Sequence, residues 1–131
     1  MYKVIAGGCL CGHIQFRAFE PSNVHSCSCD ICQKHTGAQM AVWIEFPANR
    51  VEWIGKGGKP AVYRSSEYSS RAFCPQCGSS IGAIDDAPTV ALLTGVMDNL
   101  SSHDLELEYH SFTDLAPKWW CKLLCYDNVE L

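Results

Sequence analysis

The chain has 131 residues, a formal net charge of -4 and an apolar fraction of 47%. These values are ordinary for a globular domain and disfavour a disordered or fibrous chain. The ten Lys and Arg residues are mostly scattered singly, which argues against a nucleic acid as the main partner. We therefore expect one domain that spans residues 1–131.

Alternating apolar and polar residues predict most of the strands. The clearest run is HIQFRAF at 13–19, in which Ile14, Phe16 and Ala18 share one face that we expect to be buried. A turn is predicted at GKGG, 55–58. Six further strands are predicted, at 40–46, 51–54, 61–66, 79–84, 89–97 and 105–112.

Helix signals are few. A short helix is predicted from Ile31 to Thr36, with Gly37 as its left-handed cap, and a second near Lys118 to Cys125. Trp119 and Trp120 of the second could line a pocket or close the core, and we expect them in the core. The predicted fold class is therefore mainly β, with small antiparallel sheets and few short helices.

The ends and apolar runs of the chain bear on where the protein resides. No apolar run approaches the roughly 18 residues of a membrane-spanning helix, and TVALLTGVM at 89–97 has the length of a strand. The first residues, MYKVIAGGCLCG, lack the sustained apolar segment of a secretion signal. The sequence predicts a cytoplasmic protein that makes no membrane contact.

Nine cysteines are a large excess for such a chain. Reducing conditions in the cytosol disfavour structural disulfides, and an odd number leaves one thiol unpaired. Metal binding is therefore the leading explanation, and a secreted disulfide scaffold, which would need a signal, is the alternative.

Two of the cysteine motifs supply a pair of thiolates each. Cys74 and Cys77 in FCPQCGSS have the spacing of a zinc knuckle, and Cys9 and Cys11 in GGCLCG lie on the same side of an extended chain. Structural zinc takes four ligands, so the two pairs predict one closed four-cysteine site. The alternative is four ordinary buried or free thiols.

The stretch CSCDIC differs because it brings Cys27, Cys29 and Cys32 into six consecutive positions, with no obvious matching pair elsewhere. Three protein ligands and an open position are typical of catalytic zinc. A zinc ion with three thiolates is a poor Lewis acid toward water but accepts a soft sulfur ligand. The donor set therefore indicates thiol chemistry.

Other interpretations of this stretch remain open. Cys121 or Cys125, or else His25 or His35, could complete a closed structural site, although packing on a helix face is the expected role of Cys121 and Cys125. The CDIC portion could instead be a redox pair, or the cluster a metal or redox sensor.

Four segments together resemble the glutathione-dependent formaldehyde-activating enzyme family, whose members share the Mss4-like, or β-tent, zinc-binding fold. The matching segments are GGCLCGHIQF at 7–16, CSCDICQKHTGA at 27–38, FCPQCGSSI at 73–81 and, more loosely, YHSFTDLAPKWW at 109–120.

This resemblance implies two zinc ions, a structural one on Cys9, Cys11, Cys74 and Cys77 and a catalytic one on Cys27, Cys29 and Cys32. It also implies a carbon-sulfur lyase that reversibly joins a thiol, glutathione in the named members, to a small aldehyde such as formaldehyde. The alternative is a zinc-stabilised binding module in which both metals are structural.

One position departs from the family pattern, and three residues after the motif have no assigned role. Ser28 stands where family members often carry a histidine, which removes one candidate proton relay. Lys34, His35 and Thr36 follow the motif and could anchor a carboxylate or relay a proton, but we expect them on a solvated helix face.

Overall fold

The computed structural model describes residues 4–103 and 105–120. Within these ranges the chain is mainly β, with an α-helix, α1 (Asp30–Thr36), short 3-10 turns and the first residues of a further helix at 118–120. None of the described helices is long and apolar enough to span a membrane. The strands are β1 (Ile5–Gly8), β2 (Gln15–Ala18), β3 (Ser22–Cys27), β4 (Ala41–Pro47), β5 (Val51–Trp53), β6 (Ala61–Arg64), β7 (Ser69–Phe73), β8 (Ser80–Asp85), β9 (Thr89–Leu93) and β10 (Tyr109–Ser111).

The strands form two sheets. One has the order β1-β2-β5, and the other has the order β10-β3-β4-β9-β8-β7-β6. All pairs in both sheets are antiparallel except β10 and β3, which run parallel. The predicted fold class, mainly β with small sheets and short helices, is confirmed, and the parallel pair is the one departure from the expected antiparallel pairing.

The sequence pattern missed three strands and made several others too long, most of all those predicted at 89–97 and 105–112. β1, β3 and β7 were not predicted, because IAGG is rich in glycine and SNVHSC and SSRAF lack clean alternation. The strand predicted at 89–97 ends at Leu93, where a 3-10 turn, Thr94–Val96, follows. The strand predicted at 105–112 shortens to β10. The helix predicted near Lys118 to Cys125 has its first residues at 118–120, and the rest of that prediction lies outside the described residues.

The main core fills the space between the two sheets. Ile14, Phe16 and Ala18 of the clearest predicted run are each 0% exposed, so their face is buried as expected. They pack with residues of the larger sheet such as Ile44 and Phe46. Burying each large apolar side chain contributes about 2 kcal/mol, and the contact joins the two sheets into one body.

The opposite face of β4 packs against a second, smaller cluster. Trp43 alternates with the core residues of the strand and is buried beside Cys27 and Cys32. The helix α1 begins after Cys29, whose sulfur accepts the backbone N–H of Cys32, and it ends at Gly37 with φ 73°. The predicted left-handed cap is confirmed, and the helix holds the CSCDIC motif against this face.

The C-terminal tryptophans differ in their surroundings, whereas we expected both in the core. Trp120 is buried and meets the ring of His110 edge-on at 4.6 Å. Trp119 is 55% exposed, so the expectation was wrong for that residue.

A substitution of Gly7 tests the close approach of β1 to the chain around Met97. A Cβ at Gly7 would overlap the carbonyl oxygen of Val96 and lie 2.6 Å from Phe16 Cζ. We expect Gly7→Ala to lower the free energy of unfolding by about 1–3 kcal/mol, because backbone must move to admit the methyl group. Denaturant unfolding of the metal-loaded protein measures this change.

The matched control is Gly95→Ala, since a Cβ there meets no atom within 4 Å. Its unfolding free energy should stay within about 0.5 kcal/mol of the parent value. Equal losses in the two variants would contradict the tight packing of β1.

Candidate metal centres

The first cysteine group lies where the two sheets meet. Cys9 and Cys11 are in the connection from β1 to β2, and Cys74 and Cys77 are in the turn from β7 to β8. Their four Sγ atoms lie within 4.8 Å of one another. The structure therefore brings together the two pairs that the sequence spacing suggested.

The sulfur geometry fits a tetrahedral metal ion. Four sulfurs at about 2.3 Å from a central zinc lie about 3.8 Å from one another. The Sγ atoms of Cys9 and Cys11 are 3.6 Å apart, and those of Cys11 and Cys74 are 3.8 Å apart. A disulfide would instead bring two sulfurs to about 2.05 Å. The two separations are therefore compatible with a shared metal ion and exclude a disulfide between these sulfurs.

Backbone amides around this group point at the sulfurs, as they do in zinc knuckles. Ile14 N donates to Cys9 Sγ at 3.2 Å, and the amides of Gln76 and Cys77 both donate to Cys74 Sγ at 3.4 Å. Gly78, at φ 78°, closes the turn, and its N–H donates to the Cys74 carbonyl. These contacts stabilise thiolates and prearrange them for a metal.

Ser79 is a polar neighbour of this group that sequence spacing did not reveal. Its Oγ lies 3.2 Å from Cys77 Sγ and accepts the backbone N–H of Leu10 at 3.0 Å. The hydroxyl of Ser79 is the main reason that the pKa of Cys77 falls to about 5. Ser79 therefore both favours the thiolate and links the two halves of the site.

The second cysteine group is on the opposite face of the larger sheet. Cys27 ends β3, Cys29 caps α1 and Cys32 is in its first turn. Their three Sγ atoms lie within 4.8 Å of one another, and no histidine or carboxylate of the described residues joins them. Within residues 4–103 and 105–120, the group thus offers a metal three protein ligands.

The two histidines considered as a fourth ligand have other contacts. The Nδ1 of His25 donates to the Asn23 carbonyl at 2.7 Å, and its ring stacks on Tyr109. The Nε2 of His35 donates to the Ala72 carbonyl at 3.3 Å. Neither belongs to the three-cysteine group, and Cys121 and Cys125 lie outside the described residues.

The helix face after the motif is only partly solvated, contrary to expectation. Lys34 is exposed, but His35 and Thr36 are half-buried. Burial, with the charge of Arg71 as the second cause, lowers the pKa of His35. Thr36 Oγ1 donates to the Cys32 carbonyl at 2.8 Å. His35 and Thr36 therefore pack against the site rather than facing solvent.

Burial is the largest single influence on the pKa of each thiol in this group. It raises the pKa of Cys27 to about 12 and also raises the pKa of Cys32, where Arg71 opposes it. Burial opposes ionisation of Cys29 too, but the backbone N–H of Cys32 and the neighbouring thiols lower its pKa overall. Three ionised sulfurs here would need a cation, and a divalent metal supplies one.

An open cleft of about 170 Å³ borders the second group, with Cys27 and Cys32 in its wall. Its floor is one row across the sheet, in which Glu45 pairs with Ala91, Ala91 with Ala83 and Ala83 with Arg71. The two alanines leave space between a carboxylate and a guanidinium. The cleft is below the roughly 300–1,000 Å³ of sites for drug-sized ligands, so it suits a small molecule or one part of a larger one.

Arg71 is the second neighbour that the sequence interpretation missed. Its Nη1 donates to Cys32 Sγ at 3.5 Å, and its guanidinium carbon lies 5.4 Å from the centre of the Trp43 ring. Nothing in the spacing links positions 32 and 71, and β7 itself was not predicted.

Ser28, the position of the family's frequent histidine, is buried at 2% exposure. Its backbone N–H donates to the Ser111 carbonyl at 3.1 Å, and its carbonyl accepts Gln33 Nε2 at 2.7 Å. It is not among the residues that line the cleft.

The fold and the two thiol groups define a small, mainly β protein with two sites that could each hold a metal ion. Residues 4–115 match the model of the family described as glutathione-dependent formaldehyde-activating enzyme, and the chain belongs to that family. The architecture is also similar to the crystal structure of a Rhodobacter sphaeroides structural-genomics target, with a TM-score of 0.62 and 17% identity, over 81% of this chain and 98% of that one. No curated protein matches the sequence significantly.

Proposed function

We propose that the protein is a zinc-dependent carbon-sulfur lyase that reversibly joins a thiol, such as glutathione, to a small aldehyde such as formaldehyde. The observation that carries this proposal is the second thiol group. Its three sulfurs share no fourth protein ligand among the described residues, and two of the three cysteines, Cys27 and Cys32, line a cleft. The family to which the chain belongs supports the same reaction.

The proposal assigns zinc to both groups. Cys9, Cys11, Cys74 and Cys77 would hold a structural ion, and Cys27, Cys29 and Cys32 a catalytic one. A zinc ion with three thiolates lowers the pKa of a substrate thiol and holds its sulfur in place.

The chain's own residues would place the two substrates. The reaction forms one C–S bond as the sulfur attacks the carbonyl carbon, and the proton that the thiol loses ends on the aldehyde oxygen. No electron acceptor is needed. His25, Glu45 and Asp85 line the cleft and carry groups that exchange protons, so each is a candidate for that transfer, while the floor of Ala83 and Ala91 leaves space for a small aldehyde.

The remaining parts of the proposal concern the whole chain. We propose that residues 1–131 form one domain and that the protein works in the cytoplasm, where reducing conditions keep the cysteines of the two metal groups as free thiols.

Exchange NMR on the metal-loaded protein tests the lyase proposal. Glutathione and formaldehyde equilibrate with their hydroxymethyl adduct without an enzyme, so the rate of exchange is measured with and without protein. We expect an acceleration of at least about tenfold, since general acid–base help alone contributes about 10²–10⁴-fold in enzymes. An unchanged rate, with two metals bound, would favour the binding-module alternative.

The matched control is the double variant Cys121→Ser/Cys125→Ser. Because the proposal places neither residue at a metal, this variant should keep both metals and the accelerated exchange. Loss of one metal per chain would show that the second site is closed by a fourth cysteine.

A further inference from the structure

We infer that Arg71 is a positioning residue of the three-cysteine site, whose guanidinium provides the positive charge that a substrate thiolate needs beside three cysteine thiolates. This inference rests on the proposed function, because it concerns how the proposed site accepts its thiol. Arg71 lies close to FCPQCGSS in the sequence but far from CSCDIC, the motif whose site it would serve.

The charge balance of the site motivates the assignment. A zinc ion with three thiolates has a net charge of about −1, and a fourth thiolate would make it about −2. Within a partly buried cleft, water screens such a charge poorly. The hydrogen bond from Arg71 to Cys32 Sγ, at 3.5 Å, brings a permanent cation into this group. With it, the thiol-loaded site returns to about −1.

The partners of Arg71 distinguish it from the other arginines that the structure describes. Arg17, Arg50 and Arg64 each form an ion pair with a carboxylate and are half-exposed. Within residues 4–103 and 105–120, Arg71 has no carboxylate within ion-pair distance, and its close polar contact is a cysteine sulfur. Its charge is therefore available to the thiol group rather than balanced by an acidic side chain.

The surroundings of Arg71 hold it in place. It lies over the Trp43 ring, a cation-π contact that orients the guanidinium. Its Nε is buried and has no hydrogen-bond partner among the described residues. Leaving a buried donor unpaired costs about 1–3 kcal/mol, so such a group calls for an explanation, and a role at a functional site is one.

Arg71 also lines the space that a ligand of the site would occupy. It lines the cleft beside Cys27 and Cys32 and a neighbouring cleft of about 460 Å³, together with Ile31 and Ser65. The guanidinium whose Nη1 contacts Cys32 Sγ therefore also faces space that a ligand could occupy.

Thiol binding to the cobalt(II)-loaded protein tests the inference without relying on activity. The absorption bands of cobalt report a new sulfur ligand, and 2-mercaptoethanol serves as the probe because it has no carboxylate for Arg71 to bind. We expect Arg71→Gln to weaken thiol binding by about tenfold or more, in line with the loss of a charge-assisted hydrogen bond. Arg71→Lys, which keeps the charge, should restore most of the affinity.

Two controls separate charge from structure. Imidazole binds as a neutral ligand, so its affinity should be the same in wild type and Arg71→Gln. Arg64→Gln removes an exposed arginine of the adjacent strand, which pairs with Asp86, and should leave thiol affinity unchanged.

Two outcomes would contradict the inference alone, and a third would also contradict the proposed function. Equal thiol affinity in wild type and Arg71→Gln, or an equal loss of imidazole and thiol affinity, would overturn the inference and leave the proposed lyase function standing. A wild-type protein that binds imidazole but no thiol would overturn both.

Discussion

Replacing Cys74 by serine is expected to leave a chain that no longer folds cooperatively at 25 °C. Cys74 is 0% exposed, belongs to the main core and lies 3.8 Å, sulfur to sulfur, from Cys11 in the connection of the other sheet. A metal at this group would hold the β1–β2 connection to the β7–β8 turn. Structural zinc supplies about 10–16 kcal/mol in small metal-binding domains, which matches or exceeds the roughly 5–15 kcal/mol that holds a domain folded.

Circular dichroism during chemical denaturation measures this effect, with metal content determined on the same samples. The control is Cys32→Ser, because Cys32 is also buried but belongs to the other cysteine group. It should lose only about 1–3 kcal/mol, the cost of a poorly paired buried hydroxyl. If both variants unfold with the same midpoint, the four-cysteine group has no special part in stability.

The second large effect is expected from Cys29→Ser, which should abolish the proposed lyase reaction while the protein stays folded. The Sγ of Cys29 belongs to the three-cysteine group and also caps α1 by accepting the N–H of Cys32 at 3.4 Å. Serine is itself a preferred helix cap, so the helix should persist. The variant would offer the second metal only two thiolates.

We expect this variant to bind one metal per chain instead of two and to show the uncatalysed exchange rate of glutathione and formaldehyde. Elemental analysis and exchange NMR measure the two quantities. Its melting temperature should fall by no more than about 3–5 °C, since a loss of about 1 kcal/mol shifts a domain of this size by an amount between those of 60–100-residue and 150–250-residue domains. Retained acceleration with one metal bound would contradict a catalytic role for the three-cysteine group.

The sequence was most informative where chemistry depends on short spacing. The pairs Cys9 with Cys11 and Cys74 with Cys77 can each reach one metal because neighbouring residues determine their geometry, and the structure places all four sulfurs together. The cap at Gly37 is equally local. Zinc itself and the catalytic role of the second group remain proposals.

The contacts between distant segments could not be predicted in the same way. Arg71 of β7 comes within reach of Cys32 only after β7, β8, β9 and β4 have paired and Cys32 of α1 has packed beside Trp43 of β4. Ser79 meets Leu10 and Cys77 only after the two sheets have packed. Such pairings depend on strand order, which a single sequence without clear alternation in β1, β3 and β7 does not reveal.

A crystal structure of the metal-loaded protein tests the central claim most directly, because it shows the ligands of the second metal. The proposal predicts two zinc ions, one on Cys9, Cys11, Cys74 and Cys77 and one on Cys27, Cys29 and Cys32 with a solvent molecule or an added thiol as the fourth ligand. A fourth ligand from the protein itself, Cys121 or Cys125 for example, would contradict it and make both metals structural.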